Sequence, residues 1–210
     1  MAHPRLVVAT RSAHKLAELR TLLDVPHAEL VSLDDLGIEG DVDETGATFE
    51  ANAALKARHA ARVTGLAALA DDSGLEVDAL GGGPGVRTRR YAGEDATDEQ
   101  NNTKLLRALD GLSPDRRGAR YVCVLALALP AERGPRGGQP LTVVRGTCRG
   151  RIARAPRGSG GFGYDPIFEP SSEPPGGRTL GEWSQEAKNA ISHRGAAARR
   201  MTPILRRHGF

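Results

Sequence analysis

Two adjacent carboxylates, Asp71 and Asp72, stand together in the sequence and are followed directly by Ser73 and Gly74. The preceding residues 66–70 are apolar and predict a buried strand that ends at this pair. Adjacent carboxylates repel each other unless a cation or other partners offset their charge. Mg²⁺ is a suitable cation, because it prefers a few carboxylate oxygens together with the phosphate oxygens of a substrate. Taken alone, the pattern favours an acidic turn over a site, since Asp, Ser and Gly are ordinary turn residues.

A possible anion site lies near the N-terminus. Residues 5–10 predict a strand, and residues 15–23 predict a helix with leucines on one face and Ser12 as its N-cap. The N–H groups at such a helix start favour an anion, and Thr10 and Lys15 could add a hydroxyl and an ammonium. A plain strand–helix unit with a surface lysine fits equally well, because the glycines of a Walker P-loop are missing.

The glycine-rich segment 158–166 is a second candidate site. Its glycines let the backbone pack closely on a ligand. Phe162 and Tyr164 offer ring faces on which a base can stack, and Asp165 can accept hydrogen bonds from one. A glycine-rich turn that holds two core aromatic side chains fits the pattern equally well.

Two further features add charge near these segments. Lysine occurs only at positions 15, 56, 104 and 188, and the other basic residues are arginines. Such a strong preference for arginine is consistent with lysine being kept for phosphate contacts, although drift in composition would leave the same pattern. Asp43 and Glu44 precede the helix predicted over residues 48–63, and local sequence favours a dipole-complementing role for them over metal binding.

Composition narrows the class of protein. The chain has 210 residues, 39% of them hydrophobic and 26% charged, which indicates a folded globular protein with one core or with a second lobe. No apolar run approaches the roughly 20 residues that span a bilayer, so no membrane association is expected. The net charge of +3 and an aromatic content of 4% argue against nucleic-acid binding. Only two cysteines and no signal-peptide pattern lead us to expect a cytoplasmic protein.

Predicted strands and helices alternate, which indicates an α/β fold. The polar loop 130–140 joins two strands in a long hairpin, so the sheet should be mixed. The elements that follow the first helix are strands at 28–33, 121–129, 141–145 and 148–153, and helices at 48–63, 98–109 and 184–191, with a last helix opened by Ser192-His193-Arg194.

Five motifs stand in one order along the chain: Ala9-Thr10 with Lys15, Asp43 to Gly46, Ala70 to Gly74, Gly161 to Pro166, and Lys188 with Ser192-His193-Arg194. This set closely resembles the inosine triphosphate pyrophosphatase family, which removes non-canonical purine nucleoside triphosphates. The resemblance runs from Leu6 to the final helix, and the order and spacing together are highly specific.

The resemblance implies a single domain over residues 1–210, with an elongated mixed sheet flanked by helices, two lobes and the active site in the cleft between them. It implies a homodimer that hydrolyses ITP, dITP and XTP to the monophosphate and pyrophosphate with Mg²⁺. Asp72 matches the proton acceptor and a metal ligand, and Glu44 matches a second acid linked to the metal. The substrate-binding positions matched are Thr10, Arg11, Ser12, Ala13, His14, Lys15, Ser73, Phe162, Gly163, Tyr164, Asp165, Lys188, His193 and Arg194.

The chemistry of these residues agrees with that activity. Attack of water at the α-phosphorus expels pyrophosphate once cations neutralise it, and we expect Lys15, Lys188 and Arg194 to supply positive charge. A site that pairs its polar groups with a 6-keto purine leaves them unsatisfied against adenine. How GTP, which shares the 6-keto group, is excluded does not follow from the sequence.

Two positions depart from the family pattern: Ser12 replaces a usual Asn, and Arg89 stands where a small residue is common. The shorter Ser12 side chain offers fewer donors, so it should bind phosphate or base more weakly or through water. The rival hypotheses are a related nucleotide pyrophosphatase with another base preference and a nucleotide- or RNA-binding module without turnover.

Overall fold

The structure is a computed structural model, and it describes residues 3–40, 42–131 and 139–210. Over these residues a sheet runs in the strand order β2-β1-β3-β4-β5-β6. The strands are β1 (Arg5–Ala9), β2 (Glu29–Ser32), β3 (Ala67–Val77), β4 (Gly118–Ala128), β5 (Leu141–Ile152) and β6 (Phe168–Pro170). The helices are α1 (Ala13–Leu22), α2 (Phe49–Thr64), α3 (Asp98–Ala108), α4 (Gln185–Ile191) and α5 (His193–Arg207). No helix among these residues is long and apolar enough to cross a membrane.

The chain divides into two compact units. The described residues of unit 1 lie within 1–72, 123–146 and 194–210, and those of unit 2 lie within 73–122 and 147–193. The division therefore falls within β3, β4 and β5, and directly after the first residue of α5.

Unit 1 is built on a parallel arrangement of strands. β1 pairs in parallel with β2 on one side and with β3 on the other, and Val7 is in register with Val31 and with Ala68. Apolar side chains of the strands, such as Leu6 and Leu69, share one core cluster with side chains from α1 and α5. Since parallel strands start and end together, the carboxyl ends of β1 and its neighbours lie at the same edge.

Unit 2 has its own core. β5 and β6 pair antiparallel, with Arg151 opposite Glu169. Leu105 and Leu109 near the C-terminal end of α3 belong to a core cluster with Leu75, Tyr121 and Phe168. The cluster also includes Tyr164 of the glycine-rich segment, so this core fixes one flank of the second candidate site.

The predicted α/β class and mixed sheet are confirmed, since the sheet holds both parallel and antiparallel pairs. The predicted helix starts are also confirmed. Ser12, Thr48, Thr97 and Ser184 are N-caps, and each side chain accepts a hydrogen bond from a backbone N–H in the first turn of its helix. These starts depend on local chemistry, which the sequence displays directly.

Three predictions about strands are wrong. β3 does not end at Asp71 and does not turn at Gly74, but continues as one strand to Val77, because other residues neutralise its carboxylates. The separate strands predicted at 141–145 and 148–153 form the single strand β5. β6, of three residues, was not predicted. In the predicted loop 130–140, residues 132–138 lie outside the described residues.

Candidate active site

The two carboxylates of β3 each have a separate set of partners. Successive side chains of a strand point to opposite faces of the sheet. Asp71 contacts Lys15 and Arg194, and Asp72 contacts Lys56. The repulsion between neighbouring acids is thus offset by three cations, and the acidic turn considered from the sequence is excluded.

Asp71 joins a buried line of alternating charges in unit 1. Its Oδ1 lies 2.8 Å from Lys15 Nζ, and its Oδ2 lies 2.8 Å from Arg194 Nε. The guanidinium of Arg194 also bonds to Glu18, and the Cys123 thiol donates to Asp71 Oδ2 at 3.2 Å. Burial tends to raise the pKa of Asp71, but Arg194 and Lys15 outweigh it and hold that pKa well below its usual range. Asp71 is therefore a fixed anion that orients Lys15.

Lys15 is the accessible end of this line. Its side chain is 19% exposed, whereas that of Arg194 is 2% exposed. Arg194 has its guanidinium committed to Asp71 and Glu18. Arg194, which the sequence predicts to supply charge to the substrate, is buried in this structure and paired with Asp71 and Glu18.

Asp72 forms a second cluster with Glu44 and Lys56. Lys56 Nζ donates to Asp72 Oδ1 at 2.8 Å and to Glu44 Oε1 at 3.0 Å. Burial raises the pKa of Asp72 above its ordinary value, although Lys56 and Lys15 oppose the shift. Burial disfavours the Lys56 ammonium, but Asp72 and Glu44 outweigh that effect and raise the pKa of Lys56. One cation therefore lies between the two predicted metal ligands.

The carboxylates of Glu44 and Asp72 fit Mg²⁺. Among the described residues no group of three or more His, Cys, Asp or Glu side chains could hold a metal ion. Mg²⁺ needs only one or two protein carboxylates when a substrate phosphate and waters supply its other oxygens. Glu44 and Asp72 already converge on one positive charge, so the pair is suited to share a divalent cation.

The start of α1 presents the predicted anion site, with one exception. Ser12 Oγ accepts from Lys15 N at 3.4 Å, and Thr10 Oγ1 accepts from Ser12 N at 3.2 Å. Ala13 and His14 are exposed at the first turn. Arg11 instead directs its guanidinium to Asp34 and to the carbonyls of Ile38 and Gly40, at 2.9 Å for Ile38. Its side chain therefore stabilises the segment after β2, and only its backbone remains for a substrate contact.

In unit 2, Asp165 is the centre of the glycine-rich segment. Its Oδ2 accepts from Lys188 Nζ at 2.7 Å and from Phe162 N at 3.0 Å, and Tyr121 Oη donates to Oδ1 at 3.2 Å. Burial raises the pKa of Asp165, although Lys188 opposes the shift. A Cβ on Gly161 would lie 2.1 Å from Asp165 Oδ2, so this turn can close on the carboxylate only with glycine there.

Lys188 has a different position from the one expected. Its Nζ bonds to Asp165 and lies 4.8 Å from the centroid of the Phe162 ring. A cation over a ring face is attracted by the ring quadrupole. Lys188 therefore lies with Phe162 and Asp165, two of the residues of the glycine-rich segment that the sequence predicts to contact a base.

The remaining predicted residues of unit 2 are held by aromatic packing and backbone contacts. The His193 ring stacks on Tyr121, with centroids 4.6 Å apart and planes 8° from parallel. Tyr164 is buried and donates from Oη to Thr88 O at 2.7 Å. Ser73, half-buried in β3, is the first residue of this unit.

Sequence reasoning missed several residues that support these clusters. Lys56 was visible as one of the four scarce lysines, 12 positions after Glu44, but nothing local linked it to Asp72. Tyr121 reads as a core residue of a strand, and its hydroxyl contact with Asp165 spans 44 positions. Glu18 and Cys123 gave no signal, because their contacts also depend on the tertiary fold.

Comparison with known proteins gives consistent matches over almost the whole chain. The model of the Ham1 family matches residues 6–204. The chain is 50% identical over 202 residues to the dITP/XTP pyrophosphatase of Shigella flexneri, covering 96% of this chain and 98% of that protein. It is 50% identical over 192 residues to the dITP/XTP pyrophosphatase of Geobacillus kaustophilus, covering 91% and 89%. A HAM1 protein from Coxiella burnetii superposes with a TM-score of 0.85 at 43% identity, covering 97% of this chain and 99% of that one. These matches confirm the resemblance inferred from the five motifs.

Proposed function

Because this chain belongs to the Ham1 family, we propose that it hydrolyses ITP, dITP and XTP to the monophosphate and pyrophosphate, and so removes non-canonical purines from the nucleotide pool. The observation that carries the proposal is the cluster of Asp72, Glu44 and Lys56, a buried acid beside a second acid that shares its cation. The two dITP/XTP pyrophosphatases that are 50% identical to the chain support the substrate class.

Asp72 is the proposed base. Its carboxylate is directed by the hydrogen bond from Lys56, which leaves oxygen lone pairs to accept a proton from water. The raised pKa makes the Asp72 carboxylate a stronger proton acceptor, as a general base requires. Water oriented in this way attacks the α-phosphorus, and the bond to the β-phosphate oxygen breaks, so pyrophosphate leaves.

The triphosphate is assigned to unit 1. The partly exposed Lys15 ammonium, held by Asp71, and the N-terminus of α1 provide fixed positive charge for phosphate oxygens. Positive charge fixed before the reaction stabilises the charge that develops on phosphate oxygens without reorganisation. Thr10 and Ser12 add hydroxyls next to the same helix start.

The base is assigned to the glycine-rich segment of unit 2. Phe162 offers a ring for stacking, and Lys188, Asp165 and His193 provide donors and acceptors for a purine edge. Lys188 donates and can bond to a 6-keto oxygen, whereas the 6-amino group of adenine offers it no acceptor, so adenine gains no hydrogen bond from this ammonium.

Mg²⁺ is the proposed cofactor. Glu44 and Asp72 would hold it, and when bound it would neutralise phosphate charge and polarise the scissile bond. A homodimer remains our prediction from the family, and a cytoplasmic location remains our prediction from the sequence. A single catalytic domain over residues 1–210 is proposed with them.

A panel of nucleoside triphosphates with Mg²⁺ tests the function. We expect release of pyrophosphate from ITP, dITP and XTP with kcat/KM at least about 100-fold above that for ATP, because adenine presents the wrong edge. Preference for dTTP or UTP would indicate a pyrophosphatase of another specificity. ITP that binds but stays intact for hours would indicate a binding module.

A further inference from the structure

α3 holds one residue of the glycine-rich segment by both of its backbone polar groups. Gly163 N donates to Asp98 Oδ2 at 2.6 Å, and Asn102 Nδ2 donates to Gly163 O at 3.1 Å. Asp98 and Asn102 are four residues apart in α3, so they lie on the same helix face, one turn from each other. The two side chains together form what we call the Gly163 clamp.

Gly158, Gly161 and Gly163 of this segment all have a left-handed backbone, and of the three only Gly163 has open space where a Cβ would stand. Its φ is +65°, in the left-handed region, and no atom would contact a Cβ placed on it. Glycine samples many backbone conformations when nothing restrains it. Because Gly163 lies directly between Phe162 and Tyr164, its conformation determines where the proposed stacking ring and Asp165 stand.

The side chain of Asp98 is not needed to start α3. Thr97 is the N-cap, and Thr97 and Gln100 form a capping box in which each side chain accepts a hydrogen bond from the other residue's backbone. Glu99 is a second acid in the first turn and complements the helix dipole as well as Asp98 does. The charge-assisted hydrogen bond that Asp98 accepts from Gly163 N therefore stabilises the glycine-rich segment and is not required by the helix.

Burial of Asn102 has an energetic cost, and the stability of the helix gives no reason for it. It is buried, and its Oδ1 has no hydrogen-bond partner among the described residues. A buried acceptor without a donor is unfavourable. Turning the amide over would place Oδ1 against the Gly163 carbonyl, so the bond to Gly163 fixes the present orientation.

We propose that Asp98 and Asn102 are positioning residues that hold the glycine-rich segment in its base-binding conformation and so contribute to base selectivity. The inference rests on the proposed function, because it assigns base recognition to Phe162 and Asp165. Neither Asp98 nor Asn102 needs to touch the substrate.

The first test compares Asp98→Ala with Glu99→Ala. Both remove one negative charge from the first turn of α3, but only Asp98 contacts Gly163. We expect the KM for ITP to rise about tenfold in Asp98→Ala, with kcat within about twofold, and to stay unchanged in Glu99→Ala. Asp98→Asn retains an acceptor and should fall between wild type and Asp98→Ala.

Inorganic tripolyphosphate separates the base from the phosphates. As a competitive inhibitor it should bind only the phosphate positions of unit 1, so its inhibition constant should be equal in wild type, Asp98→Ala and Glu99→Ala. The ratio of kcat/KM for ITP over ATP should fall in Asp98→Ala alone.

Asn102→Leu distinguishes positioning from a merely structural role. Leucine has a similar size and removes both the unpaired acceptor and the donor to Gly163 O, two effects of opposite sign on stability, so the Tm should stay close to that of wild type while the KM for ITP rises. A lower Tm with an unchanged KM would contradict the inference.

The outcomes separate the inference from the function on which it rests. Wild-type protein that leaves ITP intact contradicts the proposed function, and the inference with it. Wild-type turnover with equal KM values for Asp98→Ala and Glu99→Ala contradicts the inference alone.

Discussion

Asp72 and its partners are the residues on which turnover should depend most. Replacing Asp72 with Asn keeps the size and a hydrogen-bond acceptor for Lys56 but removes the negative charge. We expect kcat for ITP to fall by about 1,000-fold or more, since both the base and a metal ligand are lost. Circular dichroism and Tm check that the fold is retained, and Asp95→Asn, at an exposed acid, is the control. Near-normal kcat would refute the assignment.

Lys56 gives a test of the metal site that does not use activity. Lys56→Met leaves Glu44 and Asp72 without their shared cation, so the protein should be less stable in the absence of metal. Added Mg²⁺ should then raise the Tm of this variant more than that of wild type, because the metal ion replaces the ammonium. Thermal unfolding with and without Mg²⁺ measures the difference, with Lys104→Met as an exposed-lysine control. Equal shifts would argue against Glu44 and Asp72 as ligands.

Asp165 should give substrate binding a dependence on pH. Burial raises its pKa, so the folded protein keeps this proton to a higher pH than the unfolded chain, and ionisation of Asp165 opposes folding as pH rises through that pKa. For binding the sign is reversed, since only the carboxylate form is acceptor on both oxygens. The KM for ITP should therefore decrease as pH rises through the raised pKa. Kinetics from acidic to neutral pH would show this trend in wild type and a flat KM in Asp165→Asn, whereas parallel profiles would contradict it.

At the level of elements, features that depend on neighbouring residues could be predicted from the sequence, and features that depend on contacts between distant residues could not. The caps Ser12, Thr48 and Thr97 stand beside the helices that they start, so the sequence predicts those helices to within a few residues. The length of β3 was not predictable, because Asp71 is neutralised by Arg194, which is 123 positions away. The motifs identify the candidate site residues, but the burial of Arg194 and the pairing of Lys188 with Asp165 needed the tertiary structure.

The contacts of Arg194 connect α5 with α1 and β3 inside unit 1. Arg194→Met would leave Glu18 and part of Asp71 as buried anions without their cation, so we expect unfolding to become easier by about 3 kcal/mol. Urea denaturation measures this loss, and Arg199→Met on the exposed face of α5 is the control. A loss no larger than that of the control would mean that Lys15 alone suffices to neutralise Asp71.

At the scale of the whole molecule, the two units separate the chemical tasks. Unit 1 contains the acids and cations proposed for phosphate cleavage, and unit 2 contains the segment proposed for the base. Family membership was predictable because the order of all five motifs is a property of the full chain.

The most direct test of the proposed function is the fate of ITP in water enriched in heavy oxygen, with Mg²⁺ and catalytic amounts of the protein. Attack at the α-phosphorus predicts pyrophosphate without the label and inosine monophosphate that carries it. Orthophosphate with IDP, or label found in pyrophosphate, would contradict the account.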